Sequence, residues 1–310
     1  MFQKLVICTD FNDGLLRLAN CLGSLAQSGI REVVFFHYVP MWEEGDIPRM
    51  DDEKIEAARH RFSEAVAGFS GDLVVKFEVR SEQLVTNLLD VIREYGSDLV
   101  ILGAQSRTLL NEKLFGSTTT TLTEKLPIPM LVIRPAILST FTEEELNLRC
   151  QCLFRRLLVA YDGTEASEGL INMLIDRIGQ VGQAAIERCK LGWVVETTRR
   201  GISVPEKLAE AEAKISATGQ RFAAFDLTVT TEVRTGDPIA EMIKMAGEGG
   251  MSAIAVTAHS LPQFLEWSRP SFPNQLLRSS FHPVLFSHRS SRECIGDSVL
   301  RPAGVWPKIW

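Results

Sequence analysis

The 310-residue sequence predicts an α/β protein of two tandem copies, each an open, mostly parallel five-stranded sheet flanked by helices. Two observations predict it. The first is an internal repeat. Lys4-Leu-Val-Ile-Cys-Thr-Asp10 reads against Arg156-Leu-Leu-Val-Ala-Tyr-Asp162, 152 positions on (156 − 4). Glu78-Val-Arg80 reads against Glu232-Val-Arg234, and Ile128-Pro-Met-Leu-Val132 against His282-Pro-Val-Leu-Phe286, both 154 positions on (232 − 78 and 282 − 128). A register held across half a chain argues duplication. The second observation is that short apolar runs alternate with helical periodicity, which specifies a parallel sheet between helix layers. The copies are expected at residues 1–135 and 154–290, joined by a linker at 136–153 and followed by a loosely ordered tail at 291–310.

In copy one, residues 5–9 form an apolar run that Asp10-Phe-Asn-Asp13 ends with turn and N-cap residues. Helical spacing follows through Leu15, Leu18, Ala19, Leu22 and Leu25, and Gly29 closes it. Residues 33–39 are continuously apolar, as in a strand covered on both faces. A helix is expected over 51–68, a strand over 73–79 and a helix over 81–95, with Leu84, Leu88, Leu89 and Ile92 as its apolar stripe. Strands at 99–102 and 130–133 complete the copy, with a helix over 118–126 between them. Copy two repeats the order, with strands near 157–161, 190–195, 227–233, 253–256 and 284–286. In the linker, Thr142-Glu-Glu-Glu145 is a helix start.

Composition narrows the function classes. A formal charge of −6 argues against a nucleic-acid backbone as the main partner. No run of eighteen apolar residues exists to span a membrane, and no cationic, apolar leader precedes the strand that begins at Lys4. The six cysteines do not recur between the copies. Cys8 and Cys21 lie in apolar runs and read as small buried hydrophobes, and Cys150-Gln-Cys152 has no nearby histidine to suggest a metal. A reducing cytoplasm is the expected location.

In an open parallel sheet, ligands bind beyond the carboxyl ends of the strands. Asp10 follows the first strand there, His37 and Tyr38 close the second, and Gly103 closes the fourth. The segment Gly103-Ala-Gln-Ser106, nine residues, Gly116-Ser117 then leads to a helix start at Thr118. Two readings fit it. Glycines let backbone N–H groups reach an anion, hydroxyls add donors and a helix N-terminus adds its dipole, with Arg107 and Lys113 nearby for charge. Alternatively, Gly103 is a turn and Gly116-Ser117 an ordinary cap.

Together with Leu5-Val-Ile-Cys-Thr-Asp10, the strand ending at Gly103 and Pro129-Met-Leu-Val-Ile-Arg-Pro135, this segment resembles the universal stress protein family, in tandem form. ATP-binding members carry Gly-x-x-Gly, nine residues, then Gly-Ser/Thr. The chain keeps the spacing, the first glycine and the final Gly-Ser, and departs at Ser106, where the second glycine would stand. The resemblance implies a Rossmann-like, adenine nucleotide α-hydrolase-like fold with ATP bound by copy one. Asp10 would contact the adenosine end, and Cys8, Thr9 and Tyr38 would line the base pocket. Gly103, Ser106, Gly116, Ser117 and Thr118 would hold the phosphates, accompanied by Mg2+. It also implies pairing of the two copies through their fifth strands as a pseudo-dimer, with room for a homodimer and an unidentified protein partner.

Copy two is degenerate at the same edge. Asp162-Gly-Thr164 and Gly236-Asp-Pro238 persist, but Thr257, Ser260 and Pro270 replace the three loop glycines, and a proline offers no backbone donor. His259 has no partner acid or nucleophile placed by the sequence. Walker, nucleophile-elbow and His-Glu-x-x-His motifs are absent. Asp10 and Asp13 read as turn and cap residues. The expectation is therefore a regulatory ATP-binding protein with at most slow hydrolysis. A nucleotide-independent interaction protein and a weak ATP hydrolase are the alternatives.

Overall fold

The structure is a computed structural model that describes residues 1–42, 49–103, 122, 125–181, 186–196, 204–257 and 272–287. Copy one contributes β1 (Lys4–Cys8), β2 (Glu32–Tyr38), β3 (Val74–Arg80), β4 (Leu99–Gly103) and β5 (Met130–Ile133), and helices α1 (Leu22–Gln27), α2 (Asp52–Val66) and α3 (Leu84–Tyr95). The linker holds α4 (Pro135–Leu138) and α5 (Glu143–Gln151). Copy two adds β6 (Arg156–Ala160), α6 (Glu165–Val181), β7 (Arg188–Val195), α7 (Val204–Gln220), β8 (Thr228–Thr235), α8 (Pro238–Glu248), β9 (Ala253–Thr257), α9 (Phe272–Ser279) and β10 (Val284–Ser287). The segments expected to carry the helix over 118–126 and the tail at 291–310 lie largely or wholly outside the described residues.

The ten strands form one sheet in the order β3-β2-β1-β4-β5-β10-β9-β6-β7-β8. Every pairing within a copy is parallel. The joint between copies is antiparallel, with Val284, Leu285 and Phe286 opposite Val132, Leu131 and Met130. All six of these residues are at most 1% exposed, so the seam is a piece of continuous core. Burying each such side chain stabilises by roughly 1.5–3 kcal/mol.

Helices cover both faces, as parallel strands require. Leu22, Phe62, Leu146, Leu170 and Ile215, from α1, α2, α5, α6 and α7, share one core layer. Leu88, Met245 and Leu276, from α3, α8 and α9, share the other. Both layers run through the two copies. Asp98, at the start of β4, accepts from the Gln3 and Lys4 amides and pairs with Arg177 of copy two at 3.1 Å.

Two local findings differ from expectation. The first helix opens as a 3-10 helix over Leu15–Cys21 before α1 begins. Leu15, Leu18 and Cys21 are all buried, and at three residues per turn their three-residue spacing falls in line on one face. Second, Cys21 is not a free hydrophobe. It is bonded to Cys150 of α5 across 129 residues, with a Cα–Cα distance of 6.5 Å, within the range a disulfide spans. Ser24 adds a hydrogen bond to Asn147 at 2.9 Å, pinning the linker helix to copy one. Thr142 caps α5 by accepting from the Glu145 amide at 3.2 Å.

Candidate functional site

The strand order fixes where a ligand can sit. From β1 the chain moves outward through β2 and β3, then returns to the other side of β1 as β4. The reversal opens a crevice between the carboxyl ends of β1 and β4. Cys8 pairs with Leu102, so Thr9 and Gly103 are the next residues along on the two sides of that crevice.

A compact polar turn occupies its floor. The Asp13 carboxylate accepts from the Thr9 hydroxyl at 2.8 Å, the Leu15 amide at 2.9 Å and the Asp10 amide at 3.3 Å. Asp13 is buried, and burial raises its pKa, opposed by the bonds from Leu15 and Thr9. The exposed Asp10 accepts from the Asn12 and Asp13 amides at 2.8 and 2.9 Å. Both acids therefore hold the turn their positions suggest, while Gly14, not either acid, is the N-cap residue of the helix that follows. A Cβ on Gly103 would lie 2.6 Å from the Asp13 Cβ, so this glycine is needed for the approach of Asp13 whatever ligand binds.

Beside the crevice is a cavity of about 210 Å3, walled by Phe11, His37, Val39 and Ala58, with Lys54 and Arg61 also lining it. The Phe11 ring lies 4.3 Å from the His37 ring and 4.9 Å from Phe62, and the Arg61 guanidinium sits 4.5 Å over it. The His37 Nδ1 is 2.7 Å from the Thr9 carbonyl. A carbonyl only accepts, so the proton is on Nδ1. Burial lowers the His37 pKa, the Thr9 bond opposing it.

The expected site residues divide by position. Thr9, Asp10 and Gly103 come together at the crevice. Cys8 and Tyr38 pack on the opposite core layer from Phe11. Burial raises the Cys8 thiol pKa, and the Tyr38 hydroxyl donates to the Glu82 carbonyl at 2.8 Å. Ser106, Gly116, Ser117 and Thr118, like Arg107 and Lys113, lie outside the described residues. Phe11 and His37 form the cavity wall; their signal is an aromatic in the β1 turn and a histidine at the end of β2.

Copy two arranges the equivalent edge differently. Gly163 stands where copy one has Phe11 (163 − 11 = 152), and a Cβ there would lie 2.6 Å from Trp193. Trp193 packs edge-on against Tyr161 at 5.5 Å. The resulting cavity is larger, about 380 Å3, with Asp162, Trp193, Lys207 and Lys214 in its lining. Thr257 ends β9 in the place of Gly103. His259, Ser260 and Pro270 lie outside the described residues.

Among the described residues, no group of three or more His, Cys, Asp or Glu could hold a metal ion, and no helix is long and apolar enough to cross a membrane. The structure is similar to that of a universal stress protein from Archaeoglobus fulgidus DSM 4304, at TM-score 0.65 and 16% identity over 93% of this chain and 98% of that one. It is also similar to a putative universal stress protein from Pseudomonas aeruginosa UCBPP-PA14, at TM-score 0.53 and 13% identity over 93% of each chain. No curated protein sequence matches the chain. The model of the universal stress protein family matches residues 1–134 and again residues 153–288. With both halves matched and both built on one strand order, the chain belongs to the universal stress protein family, in a tandem form.

Proposed function

We propose that the chain is a nucleotide-responsive regulatory protein in which copy one holds ATP, with Mg2+ accompanying the phosphates, and copy two completes an intramolecular pseudo-dimer. The observation that supports this most is the meeting of Thr9, Asp10 and Gly103 at the reversal of strand order, beside a cavity with an aromatic wall. Phe11 and His37 offer a purine a flat apolar surface, and Lys54 and Arg61 bring positive charge to the same cavity. Asp13 does not prevent an anion from approaching. Its oxygens are engaged by internal donors from Thr9, Asp10 and Leu15. The phosphate contacts themselves rest on the sequence spacing from Gly103 to Thr118.

A specific observation favours a second reading, in which the nucleoside end sits in copy two. That cavity is larger and carries Asp162, Trp193 and two lysines. Calorimetric titration with MgATP distinguishes the two. On the first reading, one equivalent binds, Gly116→Asp abolishes binding, and Pro270→Asp and Asp162→Ala leave it intact. Loss in Asp162→Ala with retention in Gly116→Asp moves the site to copy two. No heat at millimolar MgATP would leave a nucleotide-independent interaction protein. Product analysis after long incubation measures any slow hydrolysis.

A further inference from the structure

Two basic residues face each other at one end of the seam between the copies. Because β10 runs antiparallel to β5, its amino end lies at the carboxyl end of β5, on the edge that holds Thr9 and Gly103. Val284 pairs with Val132, so His282, two residues earlier, stands across from Arg134, two residues later. Gly103 pairs with Ile133, which makes Arg134 the next residue along from the crevice.

Arg134 Nη2 donates to the Arg278 carbonyl near the end of α9. This contact orients the guanidinium and uses one arm of it. No carboxylate among the described residues pairs with Arg134, and burial alone lowers its pKa. Half-buried His282 has its Nδ1 sealed from solvent without a hydrogen-bond partner, and burial lowers its pKa too. A partly desolvated cation without a counter-charge is costly. The same position on the other side of the repeat is apolar: Ile128 stands in copy one where His282 stands in copy two (282 − 128 = 154). The counterpart of Arg134 is His288 (288 − 134 = 154), outside the described residues, so the asymmetry of the seam lies in His282 facing Arg134 at copy one's edge where the repeat has Ile128.

We propose that Arg134 and His282 form an oxyanion site at the seam, so that copy two completes the ligand edge of copy one. The chemistry fits a phosphate group: Arg134 supplies a charge-assisted fork, and His282 stands across the seam from it. Two sources carry that group, inorganic phosphate and the terminal phosphate of a bound nucleotide. Only in the second case does the inference rest on the reading above.

The test titrates the full chain with sodium phosphate and, separately, with MgATP, following thermal stability against a sodium chloride control of equal ionic strength. Wild type, Arg134→Gln, Arg134→Lys and His282→Leu are compared. Phosphate should raise the melting temperature of wild type saturably. Arg134→Gln should weaken this by about tenfold or more, and Arg134→Lys should recover part of it. His282→Leu repeats the test if Arg134→Gln disturbs α9. If MgATP responds to these variants and phosphate alone does not, the site is present and its source is the nucleotide. If phosphate acts through Arg134 while MgATP does not bind, the seam site stands and the nucleotide reading fails. If MgATP binds all variants alike and phosphate does no more than chloride, the seam site is refuted and the nucleotide reading survives.

Discussion

Phe11 and Glu82 hold positive φ, at 65° and 80°, where copy two has Gly163 and Gly236 at 73° and 140°. The offsets, 152 (163 − 11) and 154 (236 − 82), are those of the repeat. A left-handed non-glycine residue costs about 1–2 kcal/mol, and such strain gathers at functional edges. Copy one carries it twice, at the crevice and before α3. The two positions should respond oppositely to glycine. Glu82→Gly loses no core contact, so the protein should melt at the same or a higher temperature. Phe11→Gly removes the ring that packs on His37 and Phe62 and should destabilise by about 2 kcal/mol or more. Equal effects in a melting comparison would refute this account of the strain. Asp13 gives a pH prediction. A carboxyl whose folded pKa is raised contributes stability that is full below the unfolded value of 3.8 and lost as pH rises through the folded value. Wild-type stability should therefore fall relative to Asp13→Asn as pH rises above about 4. A pH-independent difference between the two in denaturant titrations would contradict it.

At the scale of elements, the parallel strands were the most legible part of the sequence. Leu99, Val100 and Ile101 are fully buried, and a strand covered on both faces has to be written as an unbroken apolar run. The Thr142 cap and the Asp13 turn are legible too, since both act through neighbours in sequence. Contacts made through space were not. Nothing in the spacing of Cys21 and Cys150 announces their bond, because it depends on α5 folding back onto α1. For the same reason Tyr38, adjacent to His37 in sequence, packs on the other core layer. The proposed phosphate segment is legible only as spacing. The disulfide makes its own prediction. Thiol labelling of the unreduced, denatured protein, read by peptide mapping, should leave Cys21 and Cys150 unreacted while Cys8, Cys152 and Cys189 react. Cys150→Ser should cost about 2–5 kcal/mol relative to the oxidised wild type. Six reactive thiols, or no change in the melting temperature on reduction, would refute the pairing.

At the scale of the molecule, the duplication has become one ten-stranded sheet. The core layers run through both copies, the seam buries Leu131 and Leu285 completely, and Asp98 with Arg177 ties copy to copy. The chain should therefore unfold in one calorimetric transition, and Leu285→Asp should destabilise both copies together. Two resolved transitions would show independent domains. Within that shared frame the copies have diverged. Copy one keeps Gly103 and Gly116 of the family spacing and has the His282–Arg134 pair at its edge of the seam; copy two keeps the roomier cavity beside Trp193. On the proposed function the nucleotide belongs to copy one. A crystal structure of the full chain grown with a non-hydrolysable MgATP analogue tests it most directly. Nucleotide density is expected beside Thr9, Asp10 and Gly103, with its base against Phe11 and His37. Density beside Asp162 and Trp193 alone, or at neither edge, would contradict it.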